Sequence, residues 1–166
     1  RLHAYAQWLF AEQWDALHVY ANRQGIQIIG DLPFYVRTDS VDVWAHPQLF
    51  LLNRRGLPTV VAGVPPDNFA RQGQRWGNPV YRWAAHRRTN WQWWTERIRR
   101  LHERCDIIRF DHFRGLVQTW HIPISAATAR PGRWVATPGA SLLRTVKRRI
   151  PKLNLIVEDL GNGLVN

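Results

Sequence analysis

A chain of 166 residues in which 45% of side chains are apolar has the material for one sizeable core, which excludes a disordered tail. No apolar run reaches the ~18 residues that span a bilayer and no basic-then-apolar leader opens the chain, so a cytoplasmic protein without membrane contact is expected. The net charge of +11 comes almost entirely from arginine, since Lys147 and Lys152 are the sole lysines, and one cysteine, Cys105, excludes an internal disulfide or a cysteine-based zinc site.

In chain order, Leu2, Tyr5, Leu9, Leu17, Tyr20 and Ala21 follow a helical period over 2–24 and stop at Gly25. A short β-branched strand, 26–31, ends at Asp31, and Pro33 bars further pairing inside a sheet. Residues 32–88 are rich in Pro and Gly. Within them Leu49-Phe50-Leu51-Leu52 and Pro58-Thr59-Val60-Val61 flank Asn53-Arg54-Arg55-Gly56, a pattern that predicts a hairpin. A structureless loop of that length is foreign to a compact domain, so 32–88 is expected to be an inserted lobe with its own elements.

A second helix is predicted over 90–104, where Trp91, Trp94, Ile98, Leu101 and Cys105 form one apolar stripe. Strand 106–111 follows and closes on Asp111. After a Gly/Pro-containing excursion, 116–140, a third helix over 141–150 is predicted to bury Leu142, Leu143, Val146 and Ile150 before Pro151. Strand 153–159 closes on Glu158 and Asp159.

Helices alternating with short apolar strands imply parallel strands joined by crossovers. Acids at three strand C-termini favour a (β/α)8 barrel, whose sites lie at that face, over an open sheet, and no Gly-rich dinucleotide fingerprint follows any strand. The expected fold class is therefore α/β, a partial (β/α)8 barrel of about three central strands with an irregular, hairpin-bearing lobe inserted at 32–88. A whole barrel needs roughly 250 residues, and no Met occurs even at position 1, so 1–166 is expected to be a central fragment.

Two carboxyls facing one gap suit cleavage of a glycosidic bond, one attacking the anomeric carbon and the other protonating the leaving oxygen. Arg109 and Asp111, two apart, emerge on the same strand face, where the guanidinium holds Asp111 ionised; a plain buried ion pair would have the same spacing. Glu158 has Ile156 rather than a cation two residues before it, and a dry site there would favour the protonated acid. Trp76, flanked by Gly and Pro and outside any helix, is expected at a binding surface, while most of the ten Trp are expected in the core.

Arg109-Phe110-Asp111-His112-Phe113-Arg114-Gly115 resembles the nucleophile segment of the amylomaltase or 4-α-glucanotransferase family (disproportionating enzyme, glycoside hydrolase family 77, α-amylase clan), and Val157-Glu158-Asp159-Leu160-Gly161 resembles its acid/base segment. Gly30-Asp31-Leu32-Pro33, Asp42-Val43-Trp44-Ala45-His46-Pro47, Val64-Pro65-Pro66-Asp67 and Gln74-Arg75-Trp76-Gly77-Asn78-Pro79 follow the family in order and spacing. The resemblance implies a retaining transfer of α-1,4-glucan segments between maltooligosaccharides, with Asp111 as nucleophile and Glu158 as general acid/base. It implies that Arg109 supports the nucleophile, that His112 touches the sugar, and that Asp31 lines the pocket. Trp76 and Gln74 would contact glucose units and Phe69 the acceptor side. No metal, nucleotide or redox cofactor is implied, and no nucleic acid.

Two positions and one stretch depart from the family pattern: Asn68 stands where Tyr is usual, His121 where a Glu usually follows Trp120, and Ile124-Ser125-Ala126-Ala127 lacks the usual Gly. The family's third essential carboxylate would lie beyond Asn166, so the piece alone is expected to be inactive. The competing readings are a maltodextrin hydrolase of the same clan, a basic Trp-rich polyanion or nucleic-acid binder, and a carbohydrate-binding remnant without catalysis.

Overall fold

The computed structural model describes residues 1–158, so Asp159 and the Leu160-Gly161 end of the third acidic segment lie outside the described residues. The fold is α/β, with parallel and antiparallel strands kept in separate sheets. The three strands expected from the apolar runs form a parallel sheet ordered β1–β4–β7, with β1 at Ile29–Leu32, β4 at Ile107–Phe110 and β7 at Leu155–Val157. Asp31, Arg109 and Ile156 are neighbours across it, as are Leu32, Phe110 and Val157. Asp111 and Glu158 are thus the first residues past β4 and β7, whereas Asp31 is the penultimate residue of β1.

One face of this sheet is packed. Helix α4 (Gln92–His102) lays the predicted stripe against it, with Trp91, Trp94, Ile98 and Cys105 buried, and α5 (Gly139–Arg149) adds Leu142 and Val146. Leu32, Ile108 and Phe110 meet them from the sheet, and Phe34, Phe50, Tyr81 and Trp83 fill the space between in a continuous aromatic cluster. The other face holds Asp31 and Arg109 and leaves Ile29 and Ile156 exposed.

Helix α1 (Leu2–Arg23) forms as the periodicity predicts, and Gly25 follows it at φ 75°. Its apolar residues Leu2, Tyr5, Leu9, Leu17 and Tyr20 nevertheless remain exposed, and Ala21 alone is buried. Polar contacts converge on Asp106 to hold the helix: Asn22 Nδ2 donates to Oδ2 at 2.9 Å, Ile28 N at 2.7 Å, and His18 Nε2 lies at 3.0 Å.

The expected hairpin at 49–61 is reduced to a tight turn with one bridge, Leu52 to Pro58. The hairpin contacts that form are Thr59 N to Leu51 O and Asn53 N to Leu57 O, and the same strand is also paired on its other side. Leu51 N donates to Val80 O and Arg82 N to Leu49 O, so 49–51 is zipped to 80–82 as well. The chain beyond Pro58 becomes β2 (Val60–Val64), which pairs antiparallel with β3 (Gln74–Pro79) and β5 (Gln118–Pro123); β6 (Arg133–Ala136) completes the sheet β3–β2–β5–β6. Strands β5 and β6 lie within the stretch read as an excursion. Thr119 and His121 are the inward residues of β5, so its two-residue period carries no apolar signature. Two short helices, α2 (Val41–Ala45) and α3 (Trp83–Arg88), also lie between predicted elements.

Candidate active site

The carboxylates of Asp31, Asp111 and Glu158 meet at the guanidinium of Arg109. Its Nη1 donates to Asp31 Oδ1 at 2.6 Å, and its Nη2 lies 3.0 Å from both Asp111 Oδ1 and Glu158 Oε1. The geometry follows from strand register. Arg109 and Asp111 share a face of the pleat, Asp31 is the partner of Arg109 on β1, and Glu158 lies two residues beyond its partner on β7. Asp111 N donates to Leu32 O and Glu158 N to Phe110 O, so both acids are tied to the sheet edge by their own backbones. Asp31 foremost, and Asp111 after it, raise the Arg109 pKa further above its ordinary value.

The lack of a cation near Glu158, expected from Ile156, is corrected by this register. Arg109 reaches Glu158 from the adjacent strand, and the second oxygen of Glu158 accepts from His112 N at 2.7 Å. At 19% exposure its side chain is the most enclosed of the three acids. Because one Arg109 nitrogen touches both Asp111 and Glu158, the two contacted oxygens lie no more than about 6 Å apart. Retaining enzymes hold their two carboxyl groups ~5–5.5 Å apart, a spacing this bound accommodates.

His112 sits in the left-handed region at φ 51°, uncommon for a residue with a β-carbon, and this turn is what aims its N–H at Glu158. Gly115 makes the turn fit, because a β-carbon there would come within 2.8 Å of the Phe34 ring. The imidazole is enclosed by Phe34, Tyr35 and Trp76, with the Trp76 ring edge-on at 5.0 Å. Burial lowers its pKa, against the opposing pull of Asp111 and Glu158. Trp76 Nε1 donates to Gln74 Oε1 at 3.0 Å from the same side of β3, which leaves the indole, 39% exposed, a free face. One connected surface therefore runs from Gln74 through Trp76 and His112 to the acids. Phe69 is not part of it: at 99% exposure it touches almost nothing, on a turn where Asp67 Oδ1 accepts from Phe69 N and Ala70 N. Tyr35, itself buried, backs this surface through its ring contacts with Trp76 and His112, and its place just after Pro33 at the end of β1 is its one sequence signal. Among the described residues, no three His, Cys, Asp or Glu side chains group as a metal site.

The family model described as 4-alpha-glucanotransferase, Glyco_hydro_77, matches residues 1–164. The chain belongs to this family. It is 48% identical over 159 residues to the 4-alpha-glucanotransferase of Thermus thermophilus, which aligns with 96% of this chain and 32% of that protein. It is 46% identical to a chloroplastic/amyloplastic 4-alpha-glucanotransferase of Arabidopsis thaliana, over 93% of this chain and 27% of that one. Among solved structures, an amylomaltase from Streptococcus agalactiae in complex with acarbose superposes with a TM-score of 0.92 at 45% identity, covering 96% of this chain and 32% of that one. An amylomaltase from Corynebacterium glutamicum, at 24% identity and a TM-score of 0.84, shares the fold. The chain thus spans about a third of the length of these 4-alpha-glucanotransferase relatives.

Proposed function

We propose that these residues are the catalytic segment of a retaining 4-α-glucanotransferase that moves α-1,4-glucan segments between maltooligosaccharides. The observation that carries the reading is the meeting of Asp111 and Glu158 at one guanidinium on the ends of adjacent parallel strands. In the first step Glu158 gives its proton to the glycosidic oxygen, the C1–O bond breaks, and an Asp111 oxygen bonds to C1. In the second, Glu158 takes the proton of an acceptor hydroxyl, whose oxygen bonds to C1 as the Asp111 ester bond breaks. Both Glu158 oxygens already hold a donor, so one of these contacts has to yield when the leaving group arrives. Asp31 holds the far side of Arg109, His112 and Trp76 form the sugar-facing wall, and Phe69 is assigned to the acceptor side as a residue free to swing onto a bound chain.

The same reading takes 1–166 as the central part of a (β/α)8 barrel with 32–88 as its inserted lobe. Support comes from the unpacked sheet face with Ile29 and Ile156, since parallel sheets are ordinarily covered on both sides. A cytoplasmic setting, with neither nucleic acid nor membrane as partner, belongs to the proposal and fits the unpaired Cys105. Among the described residues no helix is long and apolar enough to cross a membrane.

The test is to give maltotriose to the full-length polypeptide that carries these residues. A ladder of longer oligosaccharides together with free glucose is the expected product; glucose and maltose alone would make it a hydrolase, and unchanged maltotriose would reject both.

A further inference from the structure

A second surface faces solvent beside the lobe's short helix α2. Ser40 caps this helix through Val43 N, its carbonyl accepts from Trp44 N, Val43 is buried, and Asp42 takes the Trp93 indole N–H at 3.2 Å. The helix is therefore clamped to the core on one side, and Trp44 is turned outward at 82% exposure. Beneath it runs a groove of about 560 Å³ lined by Thr38, Asp39, Ser40, Pro47 and Leu52 among others, within the ~300–1,000 Å³ usual for small-molecule sites.

The lining defines the occupant. An exposed indole over an aliphatic floor offers a flat apolar plate, and the Thr38, Ser40 and Asp39 side chains offer hydroxyl and carboxylate partners at its rim. This pairing suits pyranose rings, apolar on their faces and hydroxylated at their edges. In a chain of net charge +11 the one charged residue lining the groove is an acid, Asp39, held by both Nε and Nη2 of Arg37 at 2.8 Å. The groove lining itself thus carries no cation, and the Arg37 charge beside it is balanced by Asp39. The groove is tied to the strand that carries Trp76: Thr38 Oγ1 donates to Gly77 O, next to Trp76, and Asn78 Nδ2 donates to Val36 O at 2.9 Å.

We propose that this groove is a second glucan-binding site in which Trp44 stacks on the sugar, holding a distant stretch of a chain whose other stretch lies on Trp76. The proposal rests on the glucan reading above. It gives the protein a grip on polymer that a trisaccharide is too short to use.

The test takes the full-length protein carrying Asp111→Asn, to prevent turnover, and oxidises surface tryptophan with N-bromosuccinimide with and without amylose, reading each indole by mass spectrometry. Trp44 is expected to oxidise readily alone and to be protected by amylose but not by a β-1,4-linked cellooligosaccharide. Trp44→Ala in the same background should weaken amylose binding about tenfold and Trp44→Phe much less. Protection of Trp76 with Trp44 left reactive would overturn the groove site alone. Protection of neither would reject the glucan reading as well, and a Trp44 inert without sugar would overturn the groove site, because other parts of the polypeptide then cover it.

Discussion

A guanidinium presents its donors in a rigid fork, and in Arg109 that fork serves three acids from three strands. A lysine at this position keeps the charge but offers a single point to bind, so it would hold one carboxylate firmly and release the others. Arg109→Lys is therefore expected to lower kcat by about a hundredfold or more with a smaller effect on KM, checked by initial rates of maltotriose disproportionation. The fold of such a variant should be intact, because Arg109 lies on the open face of the sheet. At this scale the sequence was informative about Arg109 and Asp111, whose two-residue spacing puts them on one face. It was silent about the Arg109–Glu158 contact, because cross-strand register is a property of pairing between segments 49 residues apart.

Asp106 does for α1 what a core does for the other helices. Its carboxylate accepts from Ile28 N and Asn22, with His18 beside it, and these contacts hold its pKa below the usual range. Asp106→Ala leaves the Ile28 and Asn22 N–H groups without their shared acceptor oxygen. A loss of roughly 1–3 kcal/mol is expected in urea unfolding of the full-length protein, together with faster hydrogen exchange in 2–23 than in α4. Elements were legible in proportion to their apolar period. The α4 stripe was read nearly residue for residue, because Trp91, Trp94 and Ile98 bury the face that the spacing marks. Strand β5 was not, since Thr119 and His121 occupy its inward positions and satisfy one another at 3.0 Å. The hairpin over 49–61 forms only around its turn, and the additional pairing of 49–51 with the 80–82 segment, a non-local contact, had no local signal.

Over the whole molecule, two enclosed imidazoles tie stability to pH. Burial pushes His86 down to about 4, against the hydrogen bond to Leu49 O, and burial with Arg133 nearby pushes His121 down to about 4. In the unfolded chain both titrate near 6.5, so between that pH and about 4 the unfolded state binds protons that the folded state refuses. Stability should be fully present above pH 6.5 and fall as the pH drops through this window, by up to roughly 3 kcal/mol per ring. Thermal melts at pH 7.5 and 4.5 check this, and the drop should shrink in a His86→Gln, His121→Gln variant. The account stands, finally, on Asp111 and Glu158 sharing one sugar. A 2- or 5-fluoro maltosyl fluoride offered to the full-length protein should leave a glycosyl ester that peptide mass spectrometry maps to Asp111, and in Glu158→Gln that ester should persist. An adduct on Asp31 or elsewhere, or turnover without any adduct in an Asp111→Asn protein, would contradict it.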